Sequence, residues 1–210
     1  MAALSLSGAT SAVVKSPWLA FFNVPIPALV AGKPPVIPLA LDAASGWKTP
    51  DITGTPTPTP FFAGCTKSGW QGANSGGNET NFECDEFTTP IFVETESTAF
   101  KYESELLTIL SAEHLMTLFG LADLANATTN EHYAAPATFQ AADVSFLLLS
   151  RRLVSGTYKY NYIFAPSVKQ TAPFGQSNFT RKELWSAKLS LSVQAYAPWG
   201  SIPYTVFKEN

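Results

Sequence analysis

The sequence predicts a mainly β protein, a β-sandwich or barrel closed by one flanking α-helix. Three observations carry that reading. Strict two-residue alternation recurs in the second half of the chain, proline is spread through the first sixty residues, and a single segment keeps a helical period before a glycine stops it. At 210 residues the chain can bury a sizeable core within one large β domain. Charged residues make up only 14% of it, against roughly 25% in ordinary soluble domains, and aromatics reach 13%. Much of its surface is therefore expected to be covered by something.

Residues 1–60 read as a proline-rich extended arm and residues 61–210 as the β domain. Prolines at 17, 25, 27, 34, 35, 38, 50, 56, 58 and 60 exclude a long helix and argue against any central strand in the arm. The alternation TPTPTP favours polyproline II, a stiff spacer. Yet Trp18, Leu19, Phe21, Phe22, Val24, Ile26, Leu29 and Val30 are too apolar for a disordered tail, so the arm is expected to dock on a surface of this chain or of a neighbour.

The next stretch, FFAGCTKSGWQGANSGGNET, reads as turns and loops. No Gly-Lys-Ser/Thr closes it, which excludes a phosphate loop. Strand signals follow at Phe82, Cys84 and Phe87, at Ile91 to Val93, and where Phe100 and Tyr102 alternate with Lys101, Glu103 and Glu105.

The helix is expected near residues 111–119. Ser111 suits the N-cap, Glu113 the positive end of the helix dipole, and Gly120 the left-handed position after the last turn. Leu115, Leu118 and Phe119 form one apolar stripe at i, i+3 and i+4. A helix of about nine residues does not stand alone in water, so this stripe must pack on a sheet.

Residues 122–142 read as a long loop. DVSFLLLSRRL and TYKYNYIFAP then flank Ser155-Gly156 as a hairpin, with Tyr158, Tyr160, Tyr162 and Phe164 on one face. In the last strong strand Leu189, Leu191, Val193 and Ala195 point one way, and Lys188, Ser190, Ser192, Gln194 and Tyr196 the other. The second face is small and polar, which suits a surface that something slides past as well as one that faces water.

The net charge of −3 names no nucleic-acid or membrane partner, but its distribution is uneven. Eleven acids from Glu79 to Glu131 face one base, Lys101, and after His132 the bases predominate. Either one side is a solvated acidic face, or acidic and basic surfaces of identical copies meet in a ring or stack. Cys65 and Cys84 lack metal-ligand spacing and read equally as a pair or as buried thiols. Neither a signal peptide nor a membrane span fits the N-terminal apolar run, which Pro25 and Pro27 interrupt. Sequons at Asn78, Asn126 and Asn178 keep a secreted protein open. His114 and His132 are the only histidines, and no triad, nucleophile elbow or zinc motif surrounds them, so no enzyme and no cofactor is expected. Glu103 and Glu105 share a face and resemble a glycosidase pair, but they stand among many other carboxylates.

The order of elements resembles the major tail tube protein of long-tailed bacteriophages across roughly residues 61–196. The resemblance rests on the Gly-Cys-Thr-Lys-Ser-Gly-Trp turn at 64–70 and on strands ending in Asp85-Glu86-Phe87-Thr88-Thr89-Pro90. It continues with a strand into Glu105-Leu106-Leu107, the helix opened by Ser111-Ala112-Glu113-His114-Leu115, and a long C-terminal hairpin. It implies a structural virion protein made in the host cytoplasm and built into the tail. Six copies would form a ring whose hairpins close a β-barrel lumen, and the rings would stack, as in related contractile tails and type VI secretion tubes. Tape-measure and tail-completion proteins would be its partners, and double-stranded DNA would pass without specific binding; an acidic wall repels phosphate. Glu94, Glu96, Glu103 and Glu105 are then the lumen candidates, with Ser190, Ser192 and Gln194 as a low-friction stripe. The proline-rich segment is longer than a minimal member of that family needs. Two alternatives remain at this stage: a secreted carbohydrate-binding β-sandwich with Trp70, Trp185 and Trp199 as stacking platforms, and another virion β-sandwich such as a tail-completion or head-decoration protein.

Overall fold

The computed structural model describes residues 3–4, 18–54, 56–64, 66, 69–75, 79–82, 92–95, 99–106, 112–123, 133–134, 138–139, 141–171 and 187–210. In chain order the elements are β1 (Trp18–Phe22), β2 (Leu39–Asp42), β3 (Trp47–Pro50), β4 (Phe61–Phe62), β5 (Gln71–Ser75), β6 (Glu79–Phe82), β7 (Phe92–Thr95), β8 (Ala99–Leu106), α1 (Ala112–Phe119), β9 (Ala122–Asp123), β10 (Tyr133–Ala134), β11 (Asp143–Val154), β12 (Thr157–Gln170), β13 (Ala187–Val193) and β14 (Thr205–Lys208). A short 3-10 turn, Ala197–Trp199, precedes the last strand. The protein is mainly β, its sheets are antiparallel, and α1 is the one α-helix among the described residues. The described strands do not close a barrel.

The spine is the β11–β12 hairpin. Its turn falls at Ser155 and Gly156, with φ of 50° and 79°, the left-handed pair that a two-residue hairpin needs. Around it the main sheet runs β4-β1-β11-β12-β13-β8-β5. One edge of β12 is divided: Val168, Lys169 and Gln170 pair with β13, while Asn161 to Phe164 pair with β14. A bulge between Val144 and Phe146 bends the hairpin where this division occurs.

Alternation along these strands produces two hydrophobic layers, one on each side of the sheet. The first gathers Phe22, Phe61, Tyr102, Leu106, Phe146, Leu148, Val168, Leu189 and Leu191, and α1 closes it with Leu118 and Phe119, 1% and 0% exposed. The His114 ring stacks on Phe61 at 3.7 Å, fixing the helix to β4. Gly120 follows with φ 62°, the left-handed stop that the sequence called for. The second layer gathers Leu19, Phe21, Ile37, Trp47, Leu147, Leu149, Tyr160, Tyr162, Phe164 and Trp199.

The proline-rich segment contributes more than docking. Residues 18–22 lie between prolines 17 and 25 and contain none, so β1 sits inside the main sheet, with β11 on one side and the two-residue β4 on the other. The expectation of no central strand in this segment is thereby corrected: five residues without proline suffice. Residues 24–50 then fold back over the second layer. The Ile37 N–H donates to the Tyr162 hydroxyl at 2.7 Å, the Lys48 N–H to the Tyr160 hydroxyl at 3.1 Å, and the β2–β3 hairpin lays Trp47 on Tyr160.

Two loop readings also change. Gln71–Ser75, read as part of a glycine-rich loop, pairs with β8, and Gly72 faces Tyr102 there. Within residues 122–142, β9 and β10 pair as a short ladder.

Candidate functional site

At the β5–β8–β13 end of the sheet, alternation separates core from surface. On β8, Tyr102 and Leu106 point into the first layer, where burial and the neighbouring Tyr204 push the Tyr102 phenol up to about 12. Lys101, Glu103 and Glu105 take the opposite face. On β13, Leu189 and Leu191 are fully buried, and Lys188, Ser190 and Ser192 take the opposite face. Register aligns the two sets, Glu105 with Lys188, Glu103 with Ser190, and Lys101 with Ser192. Gln71 of β5 extends the Glu103 row, and Lys169 and Asp143 extend the Lys101 row through β12 and β11.

The polar groups of this face hold one another. The Ser190 hydroxyl lies 3.2 Å from a Glu103 carboxylate oxygen and donates to it. The Ser190 N–H donates to Gln170 Oε1 at 2.9 Å, and the Thr171 N–H donates to the Ser190 carbonyl at 2.8 Å. Gln194 Nε2 donates to the Ser192 hydroxyl at 3.0 Å. The described residues on this face include three acids, Glu103, Glu105 and Asp143, and three bases, Lys101, Lys169 and Lys188. Two of the bases stand directly opposite an acid, and Lys101 is two residues from Glu103 on the same strand face. The surface is hydroxyl-rich and charge-balanced, which differs from the acidic wall expected from Glu103 and Glu105 taken without their partners.

Of the residues expected to line a conduit, the structure thus brings together Glu103, Glu105, Ser190 and Ser192, and Gln194 joins them through Ser192. Glu94 does not join them: it lies on β7, paired opposite Thr80 in a separate two-stranded sheet. Glu96 is outside the described residues. Leu118 and Phe119 are buried in the first layer, and Leu115 lies on the same helix. Lys101 and Lys188 were legible in the alternation of residues 101–105 and 188–192, whereas Asp143 and Lys169 reach the face only through register.

Two of the three tryptophans proposed as sugar platforms serve the core instead. Trp199 is 3% exposed, with its indole N–H donating to the Pro27 carbonyl at 3.0 Å, and Trp70 packs half-buried on Phe22 and Phe146. Trp185, the sequon asparagines, His132 and both cysteines lie outside the described residues. Among the described residues no group of His, Cys, Asp and Glu is arranged to hold a metal ion, and no helix is long and apolar enough to cross a membrane. No protein-family model matches the chain, and no curated protein matches it in sequence.

Proposed function

We propose that the chain is a major tail tube subunit: a structural virion protein that assembles as stacked hexameric rings and forms the conduit for genome delivery. The observation that carries this reading is the half-bare sheet face of β8 and β13. A duplex passing a wall must not be held by it, and a lysine-bearing wall holds phosphate unless its cations are neutralised. Here each lysine of the face has an acid beside it, and the serine and glutamine side chains between them bond to protein partners. Such a face offers little to a passing phosphate. Tyr102, Leu106, Leu189 and Leu191 bury one side of β8 and β13 in the first layer, which leaves their other side to serve as a conduit wall. Long hairpins from six copies would bring six such faces around one lumen, as the sequence resemblance implies.

Electron microscopy of the purified full-length chain tests this. Rings or tubes with a central hole are the expected result, and a strictly monomeric protein at all concentrations overturns the reading. Glu103→Lys with Glu105→Lys then tests the wall itself: tubes should still form, while DNA delivery slows because the face becomes cationic. Unchanged delivery would remove β8 from the lumen.

A further inference from the structure

A second half-bare surface lies on the other side of the sheet, at its opposite end. Register places Trp18, Ser150, Asn161 and Lys208 in one row across β1, β11, β12 and β14, and sets Arg152 opposite Lys159 in the next. None of these residues belongs to the layer that α1 covers. Arg152 and Lys208 are exposed, and three apolar side chains flank them, Trp18 at 38%, Val154 at 37% and Val206 at 69% exposure.

No residue that the register places in these two rows is acidic. The Glu209 carboxylate is held on the opposite side of the sheet, where it accepts the Tyr160 N–H at 2.8 Å and Lys48 Nζ at 3.2 Å, and it offsets the charge of Lys159 alone among the three cations. Among the described residues, Arg152 hydrogen-bonds only the Glu209 backbone carbonyl, at 3.2 Å. Two cations directly opposite one another on neighbouring strands repel, so this face is electrostatically unfavourable in an isolated chain and improves when carboxylates are brought to it.

The chain carries the complement itself. Residues 79–96 hold six acids, Glu79, Glu83, Asp85, Glu86, Glu94 and Glu96, and no base. Glu79 and Glu94 sit on β6 and β7, a two-stranded sheet whose strands pair with no strand of the main sheet. We propose that the face formed by Arg152, Lys159 and Lys208 is a docking surface for the acidic β6–β7 hairpin of a second copy of the chain. The inference rests on the reading of the chain as an assembling subunit and adds which surfaces meet. The exposed apolar residues beside the cations suit a protein partner better than a phosphate backbone. Because the two surfaces differ, the contact is heterologous and propagates into a ring or a stack.

Charge exchange in the full-length chain tests it. One variant carries Arg152→Glu, Lys159→Glu and Lys208→Glu, and the other carries Glu79→Lys and Glu94→Lys. Each alone should self-associate about tenfold or more weakly than wild type by sedimentation at low salt, and an equimolar mixture of the two should recover assembly. Circular dichroism checks that each is folded; should the triple reversal unfold the chain, the milder Arg152→Gln, Lys159→Gln, Lys208→Gln variant replaces it and should also associate more weakly. A folded triple variant that assembles like wild type overturns the docking surface and leaves the tube reading standing. Charge-dependent wild-type complexes that never form a ring or tube overturn the tube reading and leave the docking surface standing. A wild-type chain that stays monomeric overturns both. Retention of duplex DNA that the triple variant loses, with assembly unchanged, assigns the face to nucleic acid instead.

Discussion

The two ends of the main sheet are covered on opposite sides. At the β8–β13 end the strands bury their first side in the layer to which α1 also contributes, and the second side is bare, polar and charge-balanced. At the β1–β11–β14 end the second layer is closed by residues 24–50 and Trp199, while the outer rows of the first side are bare and cationic. Between them, around residues 146–149 of β11, both sides are buried. Diagonal cover of this kind lets one sheet present two surfaces of different chemistry without a second domain, and it explains a chain with few charges and many aromatics. Apolar side chains fill both layers, and the charges are left for the two bare patches.

The largest way to break this arrangement is Leu118→Asp. It places a charge where α1 meets the sheet, and a loss of about 5 kcal/mol or more is expected, enough to prevent folding. Soluble, folded mutant protein would show that the helix is not what closes the first layer. Trp47→Ala strikes the other cover and should cost about 3–5 kcal/mol. Hydrogen exchange sharpens the contrast: amides near the β11–β12 turn should exchange faster, and those of β8 and β13 should change little. Trp47→Phe should cost less than Trp47→Ala, because it keeps most of the buried ring and removes an indole N–H that is buried without a partner among the described residues.

A smaller effect comes from Tyr162→Phe. It leaves the Ile37 N–H without its acceptor, with an expected cost of about 1–3 kcal/mol by denaturant titration. The smallest is Glu209→Gln at the C-terminal strand. The Tyr160 N–H and Lys48 hold the Glu209 carboxyl below its usual range. Its contribution is therefore fully present above the ordinary carboxylate value of 4.5 and is lost as pH falls through the lowered one. For a pair this open to solvent, less than about 1 kcal/mol is expected. Thermal melts from pH 7 downward should show a shallower acid decline in the variant. Identical slopes would mean that the pair holds nothing in place.

Local features were the legible part. The Ser155-Gly156 turn, the α1 stop at Gly120, the tyrosine face of β12 and the leucine face of β13 all follow from neighbours one to four residues apart. Sterics and backbone hydrogen bonding act at that range whatever the rest of the chain does. The same alternation placed Glu103 and Ser190 each on a polar face.

Only the tertiary structure decided that those two faces are one. Glu103 and Ser190 are separated by 87 residues, and nothing in either window sets which strand the other will join. It also decided that residues 18–22 enter the sheet, that the prolines behind them form a cover, and that Lys188 stands opposite Glu105, balancing a surface whose carboxylates alone looked acidic. These outcomes depend on which apolar layers are buried against each other, a choice made by the whole chain at once. Period describes a strand's two sides; pairing decides what each side meets.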